Sequence, residues 1–160
     1  MTRLWAGLLA LCLVLTGCSG HAEEKQRRSF FAMDTYMTMT ACGPEAEAGL
    51  KSAEARIRQI ESELSVTDPG SEVYRVNHGS GTDIPVGKDT EEALGTALAL
   101  AGETGGALDP TLYPVVEAWG FTRERQQVPA DEALREAMAR TGWERLRLAG
   151  GRLYRPEGME

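Results

Sequence analysis

Thr104-Gly-Gly-Ala-Leu-Asp-Pro-Thr-Leu-Tyr-Pro-Val-Val-Glu-Ala-Trp-Gly-Phe121 is the stretch from which the rest of the chain can be read. Gly105 and Gly106 end whatever helix precedes them, and the pair predicts backbone N–H groups open to the approach of a ligand. Asp109 and Thr111 bracket a proline that stiffens the following turn. Small residues beside fixed polar groups suit the edge of a polar ligand. Taken alone, the stretch reads as architecture: a Gly-Gly helix cap, a proline turn and a core cluster of Trp119 and Phe121.

Working outward, Asp89-Thr90-Glu-Glu92 offers capping residues for a helix that carries Leu94, Leu98 and Ala101 up to the two glycines. Before it, Ile84-Pro-Val86 suits a short edge strand, and Asp68-Pro-Gly70 and His78-Gly-Ser-Gly81 are loop signals flanking one brief segment over 71–77. Ala46, Leu50, Ala53, Ile57, Ile60 and Leu64 recur alternately four and three residues apart. That stripe predicts a core-facing helix of about five turns, with Glu47–Lys51 and Glu54–Arg58 pairs off it. Residues 29–42 are rich in aromatic and β-branched side chains and predict a strand or a bent pair of strands, with Cys42 a small buried hydrophobe at the end. Downstream, residues 129–140 predict a helix with Leu134, Ala137 and Met138 inward and Gly142 at its end. Residues 145–154, with Gly150-Gly151 in the middle, predict a β-hairpin. The class is α+β, with mixed antiparallel strands and about three helices.

Composition narrows the function. Of 160 residues, 17 are Lys or Arg and 24 Asp or Glu, a net charge of −7, and the basic residues are scattered, so no nucleic-acid partner is expected. Cys12, Cys18 and Cys42 show no zinc-ligand spacing. The apolar run over 4–15 is shorter than the ~20 residues of a membrane-spanning helix and reads as the core of a signal peptide. It ends in Leu15-Thr-Gly-Cys18, which resembles the bacterial lipobox, where the peptide is cut before the cysteine and the cysteine is lipidated. The expected boundaries are a signal peptide over 1–17, a polar tether over 18–28 and the functional domain over 29–160. The chain is then exported and anchored by lipid to a bacterial membrane.

Four motifs in order give a resemblance: Phe31-Ala-Met33-Asp-Thr35; Glu63-Leu-Ser65 with Ser71-Glu-Val-Tyr-Arg-Val-Asn77; Thr104-Gly-Gly-Ala-Leu-Asp-Pro-Thr111; and Pro114 with Trp119-Gly-Phe121. After a lipobox, this arrangement is similar to the ApbE-type FAD:protein FMN transferases, over residues 29–160. The resemblance implies the N-terminal half of that flavin transferase fold. It also implies that a threonine hydroxyl of an acceptor protein, such as a subunit of a membrane redox complex, attacks the FAD diphosphate with Mg²⁺ assistance. FMN becomes esterified and AMP leaves. Met33, Thr67, Ala107, Leu108 and Asp109 correspond to the family's FAD-contacting positions, Thr67 standing where many relatives carry an aromatic residue. Ser71 and Asn77 fit loop support as well as ligand contact.

The family's D-L-G-G-I-A-K-G segment and later Asp/Thr motif, which bear its Mg²⁺ ligands, do not occur before Glu160. The resemblance therefore places no catalytic residue and no metal ligand among these residues, and the 160-residue chain alone is expected to transfer no FMN. A lipid-anchored flavin-binding or interaction module without turnover, and an FAD hydrolase in which water replaces the threonine, stay open.

Overall fold

In the computed structural model, residues 24–123 and 125–159 are described. The expected signal peptide, Cys18 and the start of the tether lie outside them. The contacts divide the described residues into two compact units, one of 24–30 with Tyr36–Ala53, the other of Phe31–Thr35 with the described residues from Glu54 onward.

Strands β1 (Lys25–Ala32) and β2 (Thr35–Cys42) form a two-stranded sheet, so the bent-pair alternative holds. β1 begins at Lys25, and Lys25 to Arg28 of the expected tether are strand. Along β2, Met37, Met39 and Ala41 face the half-buried side while Tyr36, Thr38, Thr40 and Cys42 are exposed. The period-2 alternation therefore puts Cys42 in solvent, correcting its expected burial. Ser29 and Thr38 hydroxyls meet at 3.0 Å across the strands. Helix α1 (Ala46–Leu64) carries the expected stripe: Ala46 and Leu50 are buried, and Ala53, Ile57, Ile60 and Leu64 half-buried. Lys51–Glu47 and Arg58–Glu54 pair one turn apart, as their spacing predicts.

The brief segment after the 65–70 loop is a helix, α2 (Glu72–His78), made so by Ser71 as N-cap. The Ser71 hydroxyl accepts from Tyr74 N at 2.9 Å and donates to the Ser65 carbonyl, so the buried serine ties the loop to the helix. Helix α3 (Lys88–Glu103) starts at Gly87, whose N–H donates to both carboxylate oxygens of Glu72, at 2.8 and 2.9 Å. The cap thus comes from α2 rather than from residues 89–92. Asp89 instead takes a bidentate pair from Arg56, at 2.6 and 2.7 Å, and that hydrogen bonding holds its carboxyl below the ordinary carboxylate range.

Two further helices are α4 (Tyr113–Ala118) and α5 (Asp131–Ala139), which pack on each other. There are thus five α-helices among the described residues against an expected three. α2 and α4 are each about two turns or less, too short for a periodic stripe to announce them. On α5 Ala137 is buried and Leu134 half-buried, but Met138 points outward at 58% exposure, one residue of helical rotation away from the seam. The hairpin of β4 (Arg147–Ala149) and β5 (Arg152–Tyr154) turns on Gly150 and Gly151, both left-handed. β5 lies centrally between β4 and the edge strand β3 (Asp83–Pro85), both antiparallel to it, with Leu153 opposite Leu148 and Ile84. α3 covers β4, and Leu153, Val86 and Ala101 are buried.

Candidate functional site

β1 and β2 are joined by Met33 and Asp34, with φ of 51° and 54°, the left-handed pair that a two-residue hairpin turn requires. Met33 is therefore a turn residue and not a core strand residue, and its side chain is 43% exposed. The Met33 N–H donates to Oε1 of Glu61 on α1, at 2.6 Å. The same stretch of α1 leads into the 65–70 loop, where the Ser65 hydroxyl accepts from Thr67 N at 3.3 Å and Asp68 N at 3.1 Å.

These segments line one cavity of about 680 Å³. Phe31, Met33, Leu64, Val66 and Phe121 supply its apolar surface, and Ser65, Thr67, Asp34 and Glu61 its polar groups. Phe31 and Phe121 are 60% and 61% exposed, so two aromatic rings sit in an open cavity without being spent on a core. The expected Trp119–Phe121 core cluster is corrected accordingly. The two rings stack with centroids 6.4 Å apart, but Phe121 is exposed and Trp119 only half-buried. Both ionisable groups of the cavity are acids, so it suits an uncharged planar ring far better than a phosphate.

How Phe121 reaches the cavity follows from the end of α4. Phe121 N donates to the Val116 carbonyl at 3.1 Å and Gly120 N to the Glu117 carbonyl at 2.9 Å, the paired bonds of a glycine-terminated helix, with Gly120 at φ 75°. α3 ends the same way: Gly106 N donates to the Ala101 carbonyl at 2.8 Å and Gly105 N to the Gly102 carbonyl at 3.3 Å. The amides of the Gly-Gly pair are thus consumed by carbonyls of the helix they terminate. The expectation that they stand open to a ligand is corrected.

Beyond the glycines, Ala107 and Leu108 are exposed. The Leu108 N–H donates to the Thr104 hydroxyl at 3.2 Å. Asp109 Oδ1 accepts from Thr111 N at 2.8 Å and from the Thr111 hydroxyl at 2.6 Å, and that hydroxyl in turn accepts from Gly142 N at 2.7 Å. One carboxylate oxygen of Asp109 therefore shapes its own loop, and the other has no hydrogen bond among the described residues. Ala107, Leu108 and Asp109 are not among the residues lining the cavity of Met33 and Thr67. Of the five expected FAD contacts the structure brings together two, and holds three on a separate loop. Asn77 lines a different, mainly apolar cavity of about 250 Å³ with Thr90 and Thr111, and Ser71 is a buried helix cap.

Phe31, Glu61, Val66 and Phe121 were not singled out from sequence as lining residues. Phe31 and Phe121 at least lie inside the quoted motifs, whereas nothing local marks Glu61, an acid off the stripe of α1. Among the described residues no three His, Cys, Asp or Glu side chains converge as a metal site.

The family model described as "ApbE family" matches residues 33–160. The chain is 33% identical to the FAD:protein FMN transferase of Vibrio cholerae over 94% of this chain and 47% of that protein. It is 29% identical to that of Klebsiella pneumoniae over 92% and 46%. Among solved structures, the ApbE protein of Thermotoga maritima superposes with a TM-score of 0.79 at 25% identity, over 86% of this chain and 46% of that one. The apo flavinyl transferase ApbE of Pseudomonas stutzeri superposes with a TM-score of 0.78 at 26% identity, with the same coverage. The chain thus spans about half the length of the curated relatives it matches, and its α+β fold is that of their matched half.

Proposed function

This chain belongs to the ApbE family, and from that membership we propose that it supplies the flavin-ring side of an FAD:protein FMN transferase site. The observation that carries the reading is the cavity that joins Met33 and Thr67 with Phe31 and Phe121. A polarisable thioether and two exposed aromatic faces suit an isoalloxazine ring, and the Ser65 and Thr67 hydroxyls suit its polar edge. Ala107, Leu108 and the second oxygen of Asp109 would meet another part of the same FAD.

The reaction is displacement at phosphorus: a threonine hydroxyl of the acceptor protein forms the new P–O bond to the FMN phosphate and gives up its proton to solvent, the diphosphate bond breaks, and AMP leaves with the bonding electron pair. Mg²⁺ supplies neutralisation of the diphosphate charge in such chemistry. Among the described residues no three His, Cys, Asp or Glu side chains converge, so they do not fit the ion. What these residues do is bind and orient the ring.

Riboflavin, which has the ring without the diphosphate, and ADP, which has the reverse, separate the two ends of the ligand. The chain is expected to quench riboflavin fluorescence on binding, and Phe121→Ala to weaken that binding about tenfold, the worth of one good aromatic contact. Binding of ADP with no binding of riboflavin would move the ring site elsewhere. Continued by a family-type second half and given FAD, Mg²⁺ and a threonine peptide, these residues are expected to yield covalent flavin and AMP; AMP release without covalent flavin would favour hydrolysis, and flavin binding without AMP release a binding lipoprotein.

Export and lipid anchoring are part of the same proposal and rest on Leu15-Thr-Gly-Cys18. Radiolabelled palmitate should enter the protein in bacteria and be lost in Cys18→Ala; equal labelling of the two would remove the anchor from the proposal. Among the described residues no helix is long and apolar enough to cross a membrane.

A further inference from the structure

We propose that Glu61 is the positioning residue of the flavin cavity: from α1 its carboxylate holds the Met33–Asp34 turn in a strained form that presents the Met33 side chain to the ring. The inference rests on the ring-binding reading above. Two consecutive non-glycine residues in left-handed backbone are costly, and such strain persists only where the surroundings over-determine it. The surroundings here are specific. Glu61 Oε1 accepts the Met33 N–H at 2.6 Å across a sequence separation of 28 residues, a charge-assisted bond. Arg58, one turn earlier on α1, donates through Nη1 to the Phe31 carbonyl at 3.5 Å, on the strand side of the turn.

A two-residue hairpin requires the left-handed pair but not a side chain at both positions: glycine at 34 would remove the cost there and leave Met33 as the one strained residue. Asp34 also adds a second carboxylate to the cavity that Glu61 lines, and like charge raises the cost of keeping both there. The strain and the brace are explained together if the turn serves to hold Met33 at the cavity wall. Without Glu61 the turn relaxes toward ordinary backbone and the thioether leaves its place against the ring.

The test is a double-mutant cycle read by riboflavin titration, together with hydrogen exchange at the Met33 amide. Glu61→Ala should weaken riboflavin binding about tenfold, while Glu61→Gln, whose amide oxygen still accepts the Met33 N–H, should stay within about threefold of wild type. Asp34→Gly should restore part of the binding lost in Glu61→Ala and change little in the wild-type background, because glycine removes the strain at 34 and leaves the brace only that at Met33 to hold. The Met33 amide should exchange slowly in wild type and in Glu61→Gln, a readout that does not depend on the alanine variant folding. Wild-type affinity in Glu61→Ala, or an equal gain from Asp34→Gly in both backgrounds, would overturn the proposal while leaving the ring site intact. A wild-type chain that protects the Met33 amide yet binds no riboflavin would overturn the ring-binding reading and this inference with it.

Discussion

Gly120→Ala is expected to lower the stability of the chain by about 3 kcal/mol or more, and to weaken riboflavin binding along with it. Gly120 sits at φ 75°, where alanine is strained, and a Cβ there would overlap the Arg125 carbonyl oxygen and come within 3.3 Å of Gln126 Cα. Both obstacles are backbone, so no side chain can swing aside to make room. The residue also closes the turn that delivers Phe121 to the cavity, which couples the stability loss to the ligand. Gly105→Ala is the matched control: its φ is 60° but no atom lies within 4 Å of the added Cβ, so about 1 kcal/mol of backbone strain is all that is expected. Urea denaturation of the two variants checks the contrast. A Gly120→Ala chain within 1 kcal/mol of wild type would show that the 120–126 loop yields as a body.

Thr111→Val should cost about 3 kcal/mol, because one buried hydroxyl makes two bonds. Its proton goes to Asp109 Oδ1 at 2.6 Å and its oxygen accepts the Gly142 N–H at 2.7 Å, with the side chain 3% exposed. Valine fills the same volume, so the loss reports the hydrogen bonds and the stranded Gly142 N–H and not a cavity. Thr111→Ser, which keeps the hydroxyl, is expected to recover most of the loss. Since Asp109 loses a partner in Thr111→Val, its loop should loosen, and FAD binding should weaken more than riboflavin binding if this loop meets the non-ring part of the ligand. Equal effects on the two ligands would place Asp109 at the ring instead.

The readings that needed only neighbours along the chain hold closely. The stripe from Ala46 to Leu64 gives α1, because side chains three and four apart share a face whatever the remainder of the chain does. The edge strand expected over Ile84-Pro-Val86 forms one residue earlier, at Asp83–Pro85, and the Gly150-Gly151 hairpin follows for the same local reason. The departures lie where a local signal had more than one outlet. Asp89 was available as a cap and was taken by Arg56, while the cap of α3 came from Glu72, a sequence separation of 15 from Gly87. The Gly-Gly amides were available to a ligand and closed their own helix, because its last carbonyls lie one turn away and need donors in any fold.

By itself, then, the sequence determined the class, the main helix, the hairpin around Gly150-Gly151 and the family, since each is written in patterns no longer than a few turns or in motifs whose order survives folding. Only the tertiary structure decided that Met33 and Thr67 share a cavity while Ala107, Leu108 and Asp109 stand on another loop. It alone showed that Phe31 and Phe121 remain exposed there, and that a glutamate on α1 holds the turn of Met33. The reason is the reach of the forces involved. Periodicity and caps act within about one helical turn, whereas a cavity wall is assembled from segments that only the folded backbone brings within hydrogen-bonding distance.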